Sequence, residues 1–257
     1  MDTLWIAATG ARAVLRQQAV TTNNLANVNT TGYRGEQAQF RALPVYGNAL
    51  PTSAYTTVQG NSANLQEGPI NHTGRNLDVA IRGSGWIAVQ APNGDTAYTR
   101  NGDLQVNGSG ILSTSDGRPV LGQSGAPISV PPLESVQIGA DGTISGVPVG
   151  SQPNALVVIN RIQLVNPPPA QMQRGADGLF RDTQGPAPAD GNVQLAVGAL
   201  EGSNVNPVQA MIQILDNTRA FEMQTKLMQT VDQNHQAATQ LLNVSCPATP
   251  RPPPQRH

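Results

Sequence analysis

Two stretches, one at each end of the chain, repeat apolar residues at helical spacing and enclose a middle crowded with turn dipeptides. In the first, Leu4, Ala8, Ala11, Leu15, Gln18, Thr22 and Leu25 are four and three residues apart, which draws one seam down one side of a helix. In the second, Val208, Met211, Ile214, Thr218, Phe221, Thr225, Met228, Val231, His235, Ala238 and Leu242 keep nearly the same period for about ten turns, at roughly 3.6 residues per turn. Polar residues dilute both seams. A helix with so thin an apolar stripe is marginal alone and needs a partner surface, so both ends are expected to order by assembly.

The boundaries are marked by local chemistry. After Leu25, the run ANVNTTGYR over residues 26–34 combines Asn, β-branched Thr and Gly, which ends a helix and starts extended chain. Residues 35–70 hold Pro44, Pro51 and Pro69 with short β-favouring pieces, and read as an extended connector with little core. From 71 to 199, β-favouring runs alternate with Asn93-Gly94, Asn101-Gly102, Asn107-Gly108, Asp116-Gly117, Asp141-Gly142, Asp177-Gly178 and Asp190-Gly191. Such pairs supply the positive φ of tight turns, so this stretch is predicted to be an all-β domain of antiparallel strands. A second helix is expected over 200–244, with Asn206 as its N-cap and Pro207 in its first turn, where a missing N–H costs nothing. Residues 245–257 carry five prolines and cannot continue it. The fold class is mainly β with α-helical termini.

Composition narrows the partners. The 21 Asn and 24 Gln outnumber the 15 basic and 16 acidic residues, leaving a neutral amide surface whose contacts depend little on salt. A net charge of −1, with one lysine at Lys226, provides no basic stripe for nucleic acid and no polybasic patch for anionic lipid. No run reaches the roughly 20 apolar residues that span a bilayer, and residues 1–30 do not read as a cleaved leader, so no direct membrane insertion is expected. One cysteine, Cys246, excludes an internal disulfide framework.

No constellation of chemistry emerges. His72, His235 and His257 lie in different regions, unsuited to a metal site or a nucleophile triad. The glycines at 83 and 85 lack dinucleotide-fingerprint spacing, and Asp95, Asp103, Asp116 and Asp141 each sit in a turn signal. No catalytic residue, cofactor or metal is expected. A carbohydrate-binding β module is a rival reading, but aromatics make up only 4%, with Trp5 and Trp86 the only tryptophans.

Residues 18–34 (QAVTTNNLANVNTTGYR) resemble the N-terminal signature of bacterial flagellar rod and hook proteins. Residues 77–89, 98–102 (YTRNG), 110–122 (GILSTSDGRPVLG), 177–181 (DGLFR) and 200–208 (LEGSNVNPV) agree in the same register. Within that family the chain is most similar to the proximal rod proteins, on 41–45 (RALPV), 86–91 (WIAVQA), 200–205 (LEGSNV) and 221–224 (FEMQ). The distal rod type is the nearest competitor. It resembles sequences with a longer insertion after the signature and with Thr or Ala where Gly202 stands here.

The resemblance implies a non-enzymatic structural component of the periplasmic basal-body rod, delivered by the flagellar type III export apparatus. Its terminal helices would pair in the assembled rod, forming an inner layer around the export channel, with the β domain facing outward. Partners would be copies of itself and rod proteins of the FlgB, FlgC and FlgG types. The assembly interface would include Leu4, Leu15, Leu25, Asn27, Gly32, Val208, Met211, Ile214, Phe221, Met228, Val231 and Leu242.

Overall fold

The computed structural model describes residues 2–44, 54–150, 152 and 155–244. Helix α1 (Asp2–Ala26) opens the chain and α2 (Pro207–Val244) closes the described part. Between them run β1 (Glu36–Pro44), β2 (Ala54–Ala63), β3 (Ile70–His72), β4 (Val79–Arg82), β5 (Trp86–Gln90) and β6 (Thr96–Thr99). They are followed by β7 (Leu104–Val106), β8 (Leu112–Thr114), β9 (Leu133–Ile138), β10 (Thr143–Pro148) and β11 (Val157–Arg161). The last strands are β12 (Leu164–Val165), β13 (Met172–Arg174), β14 (Phe180–Asp182), β15 (Gln194–Val197) and β16 (Ala199–Glu201). Two compact units result: the described parts of 1–19, 39–60 and 213–257 form one, and 20–38 with 61–212 the other.

The larger unit is built on a five-stranded sheet in the order β12-β5-β6-β14-β13 and a three-stranded sheet in the order β11-β10-β9. Strand β5 explains the core. Trp86, Ile87, Ala88 and Val89 are all buried, which requires cover on both faces of the sheet, and alternation along the strand sorts them. Ile87 and Val89 join Val79, Ile81, Leu104, Leu112, Val120, Ile128, Ile144, Ile162 and Leu195 in the main cluster. Trp86 and Ala88 join Tyr98, Leu121, Val165 and Phe180 on the other side. Trp86 packs on Phe180 with ring centroids 4.5 Å apart, so it is core, unavailable for stacking a sugar.

The helix boundaries follow the cap chemistry. The Asn206 side-chain oxygen accepts from the backbone N–H groups of Val208 (3.0 Å) and Gln209 (3.2 Å), satisfying two donors of the first turn.

Two features differ from the sequence reading. The stretch 35–70, expected as a connector, holds β1 and β2, nine and ten residues long and paired with each other. Pro44 ends β1 and Pro69 lies outside both strands, where neither interrupts a ladder, while Pro51 lies outside the described residues. The turn dipeptides also divide into two kinds. Gly94, Gly117, Gly142 and Gly178 take positive φ as expected, whereas Gly102, Gly108 and Gly191 do not. Gly102 is needed for space instead: a Cβ there would collide with the Val79 carbonyl, against which β4 and the loop before β7 close. Residues 245–257, and Cys246 with them, lie outside the described residues.

Candidate assembly surfaces and the junction beneath them

In the smaller unit the two helices pack against each other within one chain. A Cβ built on Gly10 would stand 3.2 Å from the Gln224 side chain, so α1 meets α2 across a small-residue tract, with Ala7 and Ala11 buried beside it. The buried and half-buried stripe on α1 runs Leu4, Ala7, Ala11, Val14, Gln18. The expected seam shares Leu4, Ala11 and Gln18 with it, where two heptad registers coincide, and its Ala8 is half-buried as well. It diverges at Leu15, which is 48% exposed, because the small residues at 7, 10 and 11 draw α2 to their own side.

On α2 a half-buried stripe runs through Ile214, Asn217, Phe221, Gln224, Met228 and Val231, alternating three and four apart, with Ala220 and Thr225 half-buried beside it. Residues 232–240 are all exposed, among them the seam positions His235 and Ala238, and the side chain of Leu242 lies outside the described residues. Val208 and Met211, also placed in that seam by the sequence, are 63% and 55% exposed. With Ile212, Leu215, Met223 and Leu227 they form a second apolar stripe. At about 100° per residue Val208, Ile212 and Leu215 lie opposite the covered stripe, and Met211, Met223 and Leu227 flank them. The helix therefore carries two apolar faces, one covered by its own chain and one open.

At the root of the helices, within the larger unit, the N-terminal signature is tied to the segment before α2. The Asn24 amide brackets Glu36 as a neighbouring strand would, donating to its carbonyl and accepting from its N–H, both at 2.7 Å. Tyr33 Oη donates to Asn23 Oδ1 at 2.8 Å. Asn27 Nδ2 donates back to the Asn23 carbonyl at 2.9 Å, and its Oδ1 accepts from Thr30 at 3.2 Å, closing the turn that ends α1. Gly32 has φ of 68° and donates its N–H to the Glu201 carbonyl at 2.8 Å. A Cβ at Gly32 would collide with the Arg100 carbonyl, so the position is closed to other residues on two counts.

Beneath this turn Glu201 receives two arginines. Arg34 Nη2 donates to Glu201 Oε1 at 2.6 Å and Arg100 Nη1 to Oε2 at 3.0 Å, with side-chain exposures of 0%, 3% and 1% for Arg34, Arg100 and Glu201. Gly68 N–H adds a third donor to the carboxylate at 2.9 Å, and Arg100 Nη2 donates to the Gly83 carbonyl at 2.7 Å. Burial pulls the Arg100 guanidinium below its ordinary value, and the facing Glu201 carboxylate opposes that shift. Asn204 completes the junction, accepting from Gly35 N–H at 2.7 Å and donating to the carbonyls of Asn64 and Gln66. Arg174 lies over the Tyr33 ring at 4.7 Å and pairs with Glu36 at 2.9 Å. Sequence reasoning gave Arg34, Arg100, Glu201 and Asn204 no role of their own. Their signal was the coincidence of two arginines and one glutamate inside the motif blocks of a chain with so few charges.

The described residues hold no cluster of three His, Cys, Asp or Glu able to bind a metal, and no helix among them is long and apolar enough to cross a membrane.

The two halves of this junction coincide with two family matches. The family model described as flagella basal body rod protein matches residues 4–34, ending at Arg34. That described as the C-terminal region of the flagellar basal body rod FlgEFG proteins matches 196–241, which includes Glu201. A third, the D1 domain of the hook protein FlgE/F/G, matches 80–146. The chain is 42% identical to the flagellar basal-body rod protein FlgF of Salmonella typhimurium, over 94% of this chain and 98% of that protein. The Escherichia coli FlgF is 43% identical with the same coverage. The chain belongs to the FlgF family of flagellar basal-body rod proteins. A FlgG of Buchnera aphidicola (Schizaphis graminum) is 32% identical over 94% of the chain and 100% of its own length, so the FlgF likeness is the stronger. As a family member the chain is a structural component of the basal-body rod.

Proposed function

We propose that this chain builds the proximal rod by polymerising through α1 and α2, lines the export channel with them, and transmits torque to the distal rod without enzymatic activity. Residues 1–34 and 200–244 supply the inner helical layer, 35–70 the connection, and 71–199 the outward β domain. Copies of itself and rod proteins of the FlgB, FlgC and FlgG types are its neighbours, and the flagellar type III apparatus delivers it. The observation that carries the reading is the open apolar stripe of α2, from Val208 through Met211 and Leu215 to Leu227, away from the stripe its own chain covers. A helix about 57 Å long with an unpartnered apolar side in a soluble chain supports a neighbouring subunit there. Of the proposed interface positions, Leu15, Val208 and Met211 are open for such a contact, while Leu4, Ile214, Phe221, Met228 and Val231 shape the helix pair that presents it. Leu25, Asn27 and Gly32 lie at the root, where they fix the end of α1.

The test is Met211→Asp. The purified variant should keep wild-type circular dichroism, because the side chain is exposed, yet be missing from isolated basal bodies and abolish swimming while its export continues. Normal incorporation of the variant would overturn the role of this face.

A further inference from the structure

Three of the 21 asparagines precede a glycine: Asn93, Asn101 and Asn107. An Asn-Gly pair loses ammonia more readily than other asparagine pairs, because glycine has no Cβ to shield its backbone nitrogen from the asparagine side-chain carbon. The fold treats the three differently. Asn101 is 5% exposed, and its Nδ2 donates to Ser115 Oγ at 3.2 Å and to Asp116 Oδ2 at 3.0 Å. Gly102 is wedged against the Val79 carbonyl, so the peptide between Asn101 and Gly102 has no room to turn. At Asn93 both reacting groups are engaged: the Gly94 N–H donates to the Ala91 carbonyl at 2.9 Å, and Asn93 Nδ2 donates to Asp95.

Asn107, in the loop between β7 and β8, has the opposite arrangement. It and Gly108 are exposed, and neither the Gly108 N–H nor Asn107 Nδ2 has an acceptor among the described residues. Asn107 Oδ1 accepts from the backbone N–H groups of Ser109 at 3.0 Å and Ile111 at 2.9 Å. Those two donors draw electrons from Cγ and face the oxygen that turns negative when a nucleophile adds there, as in an oxyanion hole. The nucleophile and the leaving group are free, and the carbon between them is polarised.

We propose that Asn107 is a self-modification site, converted in the folded protein to aspartate and isoaspartate through a cyclic imide with Gly108. The Gly108 nitrogen gives its proton to water or hydroxide and bonds to Asn107 Cγ. The Cγ–Nδ2 bond breaks, and the side-chain nitrogen leaves as ammonia with a proton from solvent. Water then opens the imide, giving aspartate when it attacks Cγ and isoaspartate when it attacks the backbone carbonyl carbon. One water is consumed, one ammonia is released, and nothing is oxidised or reduced. Aspartate keeps the acceptor that holds the loop. Isoaspartate reroutes the main chain through the side chain and disturbs the bonds between Asn107 N–H and the Ile111 carbonyl and between Gly110 N–H and the Asn107 carbonyl. Either product sets a carboxylate at the rim of an uncharged groove lined by Val106, Pro131, Leu133 and Val136.

The experiment keeps the purified full chain in warm, mildly alkaline buffer, once folded and once in concentrated guanidinium chloride. Peptide mapping by mass spectrometry reads aspartate and isoaspartate at all three positions. In the folded chain, product at Asn107 should form at least about tenfold faster than at Asn93 or Asn101, a barrier difference of about 1.4 kcal/mol. In denaturant the three rates should converge, because all three share the same following glycine. Gly108 has no positive φ, and a Cβ there meets open space, so Gly108→Ala should melt like the wild type. It should slow product at Asn107 in the folded chain at least about tenfold. Folded-state product at Asn93 or Asn101 as fast as at Asn107, product at Asn107 only in denaturant, or an unchanged rate in Gly108→Ala overturns the proposal.

Discussion

Glu201 faces two buried arginines, so the trio carries a net positive charge, with the Glu67 carboxylate close enough to Arg100 to oppose part of it. Removing the carboxylate leaves both guanidinium groups buried without a counter-charge, a situation that costs about 3–5 kcal/mol when one partner of a buried pair is deleted. Glu201→Gln keeps the shape and loses the charge. It should lower the unfolding free energy by that amount, read as a lower urea midpoint with an unchanged slope, and a loss below about 1 kcal/mol would mean that water already reaches the trio. The sequence displayed these residues inside recognisable blocks, but 167 positions separate Arg34 from Glu201, and nothing in local spacing brings them together.

For the helices, the repeat was legible and its register was not. Positions 4, 11 and 18 fit both possible stripes of α1, and only the approach of α2 over Gly10 decides that Ala7 faces in and Leu15 faces out. Phe221 lies half-buried on the covered stripe of α2, so Phe221→Ala should destabilise the helical unit by roughly 1–2 kcal/mol, part of the cost at a fully buried site. Leu15→Ala on the open side should stay within about 0.5 kcal/mol. Denaturation of the helical signal in far-UV circular dichroism distinguishes the two, and equal losses would show the seam to be placed wrongly. The β elements were found more directly, because hydrophobic runs such as WIAV and their flanking turn dipeptides are local signals. Strands β1 and β2 were missed because the prolines at 44, 51 and 69 around them weaken the local signal while their pairing partner is each other.

Across the whole molecule, the Pro-rich residues 245–257 follow the last described turn of α2, and their composition forbids a helical continuation. Deleting them should leave swimming and thermal stability unchanged, as tails outside packed elements usually tolerate; loss of rods in that strain would reveal an assembly contact in the tail. By itself the sequence determined the order helix, β domain, helix, the cap at Asn206 and the family, since periodicity, turn chemistry and motif blocks are written in neighbouring residues. Only the tertiary structure decided which side of each helix is covered, that Gly32 closes over Arg100, and that Arg34, Arg100 and Glu201 share one buried site. Those depend on chain segments distant in sequence meeting in space, where burial and charge pairing act on contacts that no short window of residues contains.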